Sequence, residues 1–232
     1  MLSKLDSEGV LGDLPAKWAA NPPRTPCSVP GVACLSEDDV DRDPLVQFGR
    51  WFEEAREAGV VEPEAVALAS ASADGAPSAR MVLLKGYDEL GFRFFTSYGS
   101  RKAAELDENP RAALLFHWRE LRRQVRVEGA VERVSPAETA EYVRSRSRAS
   151  QLGTLASPQS RPIGSRDELV NLVSGLERRF EGQELPLPED WGGFRLLPQV
   201  YELWQHRENR LHDRLRYSRG DAGEWRIERL AP

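Results

Sequence analysis

No apolar run in this 232-residue chain approaches the length of a membrane span. Its opening residues, Met1-Leu2-Ser3-Lys4-Leu5-Asp6-Ser7, hold no apolar stretch of the kind that directs secretion. Cysteine is scarce: Cys27 and Cys34 stand in a proline-rich stretch without His or Cys partners at metal spacing. They read as incidental cytosolic thiols, with a disulfide between them as the alternative. The three histidines, His117, His206 and His212, lack ligand-like neighbours at the usual spacings, so no metal site is expected. Gly-x-Ser-x-Gly elbow, Walker loop and Gly-x-Gly-x-x-Gly fingerprint are all missing, which leaves serine-nucleophile and nucleotide-hydrolase chemistry unsupported. There is no basic tail either, and the net charge of −5 argues against nucleic acid as a partner. The expectation is a soluble cytoplasmic protein.

What the chain does have is material for a core: 40% hydrophobic residues, with six Trp and eight Phe. Residues 1–42 carry Pro15, Pro22, Pro23, Pro26 and Pro30 and then an acidic run, Glu37-Asp38-Asp39, and read as a flexible or wrapped N-terminal arm. Residues 43–232 read as one domain. Asp43-Pro44 is an N-cap followed by proline at the first helical position, and Leu45, Phe48, Trp51, Phe52 and Ala55 keep helical spacing as far as Gly59.

The pattern then turns to strands: Ala65–Ala73, Ser78–Gly86 and Phe92–Ser97, separated by the turns Asp74-Gly75 and Asp88-Glu89-Leu90-Gly91. A short helix over Ser100–Asp107 precedes strands Ala112–Trp118 and Arg123–Val134. Helices are expected at Pro136–Ser145 and Asp167–Phe180, and strands at Gly193–Gln205, Arg214–Ser218 and Glu224–Arg229. Successive antiparallel strands with inserted helices define an α+β fold around a barrel or strongly coiled sheet.

Several segments ask for an anion. Read as a strand, Arg210-Leu211-His212-Asp213-Arg214 sets Arg210, His212 and Arg214 on one face, and guanidinium forks suit phosphate or carboxylate oxygens. A solvated edge strand carrying protective charge is the alternative reading. In Gly99-Ser100-Arg101-Lys102, Ser100 is a sensible N-cap, but two cations then occupy a first turn where the helix dipole disfavours them, unless a phosphate docks there. Arg80-Met81-Val82-Leu83-Leu84-Lys85 is an apolar strand bracketed by cations. Tyr142, Arg146 and Ser150 would share a helical stripe if the helix persists, making a compact phosphate clamp or an ordinary solvated face. Gln159 and Ser160 offer amide and hydroxyl groups from a loop. Trp191 and Trp204 read as core, although Gln205 makes a polar pocket wall plausible beside Trp204.

In this order the segments resemble the pyridoxamine 5′-phosphate oxidase family over about residues 43–232. The matching stretches are RMVLLK (80–85), FFTSYGSRK (94–102), RRQV (122–125), SRSRASQLG (145–153), SPQSRPI (157–163), WGGFR (191–195), WQ (204–205) and RLHDR (210–214). The resemblance implies an antiparallel split β-barrel flanked by helices, working as a homodimer with FMN at the subunit interface. It assigns FMN contacts to Arg80, Met81, Val82, Lys85, Phe95, Thr96, Arg101, Lys102, Gln124, Gln159, Ser160, Trp204 and Arg214. Substrate contacts would fall on Lys85, Tyr142, Arg146, Ser150, Arg210 and His212, the last two placing the reacting carbon.

The implied reaction oxidises pyridoxamine or pyridoxine 5′-phosphate to pyridoxal 5′-phosphate, with dioxygen as acceptor and hydrogen peroxide as product. A related oxidase of secondary metabolism acting on a non-phosphorylated ring, and a non-catalytic flavin- or pyridoxal-phosphate-binding protein, are the rival readings. The chain departs from the family pattern at four places. Phe95 stands where tyrosine is frequent, Leu203 where phenylalanine usually precedes the tryptophan, and His206 where glycine commonly follows Trp-Gln. The N-terminal arm lacks an Arg-x-x-Tyr segment.

Overall fold

Helix α1 (Pro44–Glu57) starts where the sequence predicts. Asp43 accepts a hydrogen bond from the Leu45 backbone N–H at 2.9 Å, and Pro44 takes a position that needs no intrahelical donor. Phe48, Trp51, Phe52 and Ala55 fall on one face of it and are buried. The computed structural model in which this is seen describes residues 35–220 and 223–232. The expectations for Cys27, Cys34 and the first 34 residues of the arm lie outside the described residues. Residues 35–42 pack on the domain: Leu35 and Val40 are buried, the Tyr217 hydroxyl donates to Asp41 O, and Arg229 pairs with Glu37.

The strands are β1 (Ala65–Ala71), β2 (Pro77–Leu83), β3 (Gly86–Asp88), β4 (Gly91–Ser97), β5 (Arg111–Trp118), β6 (Arg123–Arg133), β7 (Trp191–Gln205), β8 (Asp213–Arg219) and β9 (Trp225–Arg229). They form one antiparallel sheet in the order β2-β1-β5-β6-β7-β4-β3, with β8 and β9 continuing from β7. Strand β6 pairs with β7 along nearly its whole length, while β7's other edge is shared. Trp191–Leu196 pair with β4, and Val200–Gln205 pair with β8.

The sheet therefore forks between Leu197 and Gln199. Pro198, which has no N–H to give, sits at the fork, and the β6 register shifts opposite it, between Glu128 and Gly129. A Cβ on Gly129 would lie 1.9 Å from the Leu197 carbonyl oxygen, so only glycine permits this approach. Forking and curling produce the split antiparallel barrel, with helices α2 (Arg101–Glu108), α3 (Pro136–Ser145), α4 (Arg148–Ala156) and α5 (Arg166–Arg179) set between the strands. Inside it the Phe48 ring lies 4.9–5.7 Å from those of Phe52, Tyr87, Phe92 and Phe116, an edge-and-face cluster typical of aromatic cores.

Three expectations need correction. The strand expected over Ser78–Gly86 ends at Leu83. Lys85 instead donates its N–H to Arg93 O at 2.8 Å and leads into β3, where Gly86 lies under the Arg93 guanidinium. The helix that would align Tyr142, Arg146 and Ser150 breaks at Arg146, which is extended at φ −79°, ψ 151°. Ser147 caps the new helix α4 by accepting from the Ser150 N–H, so hydroxyl competition at Ser145 and Ser147 ends one helix and begins another. Finally, Arg210 is not on a strand with His212 and Arg214. It closes a 3₁₀ turn (Glu208–Arg210) with φ 64°, and β8 begins only at Asp213.

Replacing Phe48 by alanine removes the hub of the aromatic cluster and should lower unfolding free energy by about 3–5 kcal/mol. Val61→Ala, at a position 83% exposed, should change it by less than about 0.5 kcal/mol. Chemical denaturation of both variants at one protein concentration checks this, and equal effects would show that the cluster is not the core.

Candidate functional site

The first group of candidate residues gathers at the start of α2. Ser100 occupies the N-cap position but does not cap; its hydroxyl turns back to donate to Ser97 O at 2.7 Å, which corrects the expected cap. Lys102 donates to Thr96 Oγ1 at 3.0 Å and to Gln159 Oε1 at 3.1 Å, and Thr96 also donates to Gln159 at 2.7 Å. Burial, reinforced by the Arg80 cation and opposed by Glu105, pushes the Lys102 ammonium below its usual range. Arg80, on β2, and Arg101 share one carboxylate, Glu105. Arg80 Nη2 reaches Oε2 at 3.0 Å and Arg101 Nε reaches Oε1 at 2.7 Å. Three cations against one carboxylate leave a net charge of plus two beside the first turn of a helix.

The neighbouring residue on β4 opens the second group. Phe95 stacks on Tyr142 with ring centroids 3.9 Å apart and planes at 18°, and Trp191 lies parallel at 5.7 Å from Phe95. The Arg146 guanidinium sits 5.2 Å from the Trp191 ring centroid and donates to Thr154 Oγ1. Tyr142 stands there because α3 is pinned. Glu138 completes a capping box with Ser135 and takes Arg195 at 2.6 Å and Arg93 at 3.5 Å. Burial lifts the Tyr142 hydroxyl above its usual range, against the pull of Arg146. Lys85 is held below its usual range by burial, with the Arg146 cation adding to that and Glu64 opposing it. Ser150, in the first turn of α4, bonds to Ser147.

The third group is at the far end of β7. Register places Gln124 opposite Trp204 and Trp204 opposite Arg214, on one sheet face. Arg214 donates to Glu202 at 2.8 Å, and this bond raises its already high pKa. The Trp204 and His212 rings lie 4.7 Å apart. Trp191 and Trp204 are thirteen residues apart on this strand, on the order of 40 Å if it ran straight. One chain thus brings together Arg80, Lys85, Phe95, Thr96, Arg101, Lys102, Tyr142, Arg146 and Gln159, and at the other end of the strand Gln124, Trp204, His212 and Arg214. Met81 and Val82 lie on β2, the free edge of the sheet, with Met81 64% exposed. Ser160 is exposed in a left-handed backbone conformation, φ 68°. Leu203 is fully buried in the core, so its departure from the family pattern concerns packing. Among the described residues no cluster of metal-ligating side chains occurs, and no helix is long and apolar enough to cross a membrane.

A forked antiparallel sheet curled on itself, with cations clustered at a strand-to-helix turn, defines the split-barrel class. Residues 52–174 match the family described as pyridoxamine 5′-phosphate oxidase, and residues 191–232 match the pyridoxine 5′-phosphate oxidase C-terminal dimerisation region. A pyridoxine/pyridoxamine 5′-phosphate oxidase of Rubrobacter xylanophilus is 58% identical over 86% of this chain and 92% of its own. One from Salinibacter ruber is 52% identical over 85% and 93%. Among solved structures, PhzG from Burkholderia lata, in complex with tetrahydrophenazine-1-carboxylic acid, superposes with a TM-score of 0.81 at 34% identity, covering 87% of this chain and 99% of that one. The chain belongs to the pyridoxamine 5′-phosphate oxidase family.

Sequence reasoning missed Glu105. Its spacing of four from Arg101 was the available signal; its bonds to Ser70 at 2.6 Å, Ser78 and Arg80 are long-range and invisible in one sequence. Burial alone would raise this carboxyl, but the hydrogen bonds from Ser70, Ser78, Arg101 and Arg80 outweigh it and bring it down to about 2. A depressed carboxyl stabilises the fold above its unfolded value of 4.5, and that contribution fades as pH falls toward about 2. Glu105→Gln should therefore be less stable than the parent at neutral pH, with the gap closing between about pH 4.5 and 2. A gap that stays constant across thermal melts in that range would show that the carboxylate is not the stabilising group.

Proposed function

We propose that this chain is an FMN-dependent oxidase converting pyridoxamine or pyridoxine 5′-phosphate to pyridoxal 5′-phosphate, with dioxygen as acceptor, and that it works as a homodimer. The observation that carries the reading is the pair of adjoining anion sites on either side of Phe95-Thr96. One is Arg80, Arg101 and Lys102, which with Glu105 carry a net charge of plus two; the other is Lys85, Arg146 and the Tyr142 hydroxyl. Cofactor and substrate each bring a phosphate, and a dianion matches the first site's charge.

The residues fit FMN on chemical grounds: the Lys102 ammonium is held partly buried, and the first turn of α2 has no side-chain cap competing for its N–H groups. FMN, when bound, supplies the redox chemistry, accepting a hydride equivalent from the substrate's C4′ carbon and passing the electrons to dioxygen to give hydrogen peroxide. The chain's part is to bind and orient. Lys102, Arg101 and Arg80 hold one phosphate; Lys85, Arg146, Tyr142 and Ser150 hold the other. Arg210 and His212 place the substrate ring.

Because Gln124, Trp204, His212 and Arg214 lie at the other end of β7, they reach the same ligand from a second copy of the chain. The matched dimerisation region, which contains three of these four, supports that assignment.

Similarity to PhzG at 34% identity makes a phenazine-forming oxidase the second reading. The paired cations of Lys85 and Arg146 argue against it, since two charges suit a phosphate dianion better than the single carboxylate of the ring bound by PhzG.

The purified protein should show a flavin spectrum and release peroxide with pyridoxamine 5′-phosphate; a protein that cannot be reconstituted with FMN would sink both oxidase readings. Arg101→Ala with Lys102→Ala removes two charge-assisted contacts of about 1.5–3 kcal/mol each, so FMN affinity should drop by at least about a hundredfold. Riboflavin, without the phosphate, should lose far less, and equal losses would move the phosphate elsewhere. For the substrate, kcat/KM should favour pyridoxamine 5′-phosphate over pyridoxamine by on the order of a hundredfold. Arg146→Ala should erase much of that preference by slowing only the phosphorylated compound. Undiminished preference would remove Arg146 from the clamp, and turnover restricted to unphosphorylated tricyclic rings would favour the second reading.

A further inference from the structure

The turn between β7 and β8 brings two imidazoles together. Gln205 pairs with Asp213 and Trp204 with Arg214, so His206 and His212 face each other one step further along, on the sheet face of Trp204. Their ring centroids are 5.1 Å apart with planes at 40°. The His206 backbone and the His212 ring are each tied down. The His206 N–H donates to Arg122 O at 3.0 Å, and the next N–H, that of Arg207, donates to His212 Nδ1 at 3.1 Å. An imidazole whose Nδ1 accepts carries its proton on Nε2 when neutral. Protonating Nδ1 would set two N–H groups against each other and place a cation beside His206.

The charged groups around the pair do not offset this. Asp213, the adjacent carboxylate, is taken by Arg207 at 2.6 Å and by Arg229 at 2.9 Å, and Arg214 is bound to Glu202. Glu208 opens the turn and Arg210 closes it; Arg122 and Arg123 lead into β6, and Arg123 is paired with Glu54. Burial, then the like charges of His206 and Arg210, hold the His212 ring below the usual histidine range.

We propose that His206 is a positioning residue that keeps His212 a neutral Nε2–H donor by opposing its protonation. The consequence for catalysis rests on the reading above, in which His212 contacts the substrate; the coupling itself does not. In that reading Nε2–H is the edge of the ring left to meet a ligand acceptor, because Nδ1 is occupied by the backbone.

The test is a proton and nitrogen NMR titration of the imidazoles in the full-length protein, where only three histidines need resolving and His117→Asn assigns one of them. His212 should be in the Nε2–H form. Its midpoint should rise in His206→Asn, which cannot become a cation, and fall in His206→Lys, which places a cation there throughout. With pyridoxamine 5′-phosphate, kcat/KM at the acid end, relative to each variant's own plateau, should be lower for His206→Asn than for the parent by about threefold or more, on the scale of a like charge at this range. A midpoint unmoved in both variants, or an Nδ1–H tautomer, overturns the proposal. A midpoint that moves while the kcat/KM profile does not leaves the coupling standing and removes His212 from the substrate site.

Discussion

The fork in β7 is the constraint from which the rest of the architecture follows. A strand has two hydrogen-bonding edges, and β6 takes almost the whole of one. The other edge must therefore be divided if both β4 and β8 are to pair. Division requires a point where the ladder is interrupted without leaving buried groups unpaired. Pro198 supplies it, having no N–H to orphan, and the shift at Gly129 absorbs the mismatch on the opposite strand. Two sheet arms then diverge from one strand, each carrying its own set of polar side chains outward. The aromatic core around Phe48 fills the space inside the curl, beneath the strand that carries Phe95 and Thr96.

On this frame several cations are held close together. Arg80, Arg101 and Lys102 would repel one another across a partly buried surface were Glu105 not among them. Its carboxylate takes two of the three and leaves Lys102 to the neutral oxygens of Thr96 and Gln159. Full neutralisation would leave no net charge to attract an anion, and no neutralisation would set three like charges against one another. A single buried carboxylate leaves a net positive charge that would match a phosphate dianion. A comparable balance holds for α3, where Glu138 receives both Arg195 and Arg93 and so sets Tyr142 flat against Phe95.

Much of this was legible in the sequence, for a physical reason. Strands whose apolar residues alternate, and helices with both a cap and a stripe, are specified locally, so α1, α3, β5 and β6 fall where their patterns put them. Motif identity likewise pointed to Lys102, Gln159 and Arg146. What escaped was set by contacts distant in sequence or by competition between near-equal local options. The stretch Ser145-Arg146-Ser147 offers hydroxyls to both a helix end and a helix start. The pattern of Tyr142, Arg146 and Ser150 therefore looked continuous, although the chain breaks there. Arg210 was read into a strand because alternation was the only visible signal; the turn that displaces it depends on where β7 and β8 stop pairing. Glu105 was missed because three of its four partners come from strands β1 and β2.

Backbone strain gives an independent line of argument about the same places. Left-handed conformations cost a non-glycine residue roughly 1–2 kcal/mol, and glycine would relieve the cost. Five non-glycine residues adopt them among the described positions: Glu62, Arg122, Ser160, Asn209 and Arg210. Ser160 and Arg210 are two of the residues assigned to ligands, and the Arg122 carbonyl anchors both the Gln205 amide and the His206 N–H. At Arg210 a glycine would ease the turn but remove the guanidinium, and at Ser160 it would remove the hydroxyl. Strain observed at these positions points to a side chain kept for its chemistry. Asn209 tolerates the conformation better than most residues and carries the chain into Arg210. The strained pair thus turns Arg210 out of the strand direction, while His212, two residues later, stays bound to the Arg207 backbone. Of the two residues assigned to the substrate ring, Arg210 has its backbone direction set by a turn, and His212 has its ring held by a hydrogen bond from main chain.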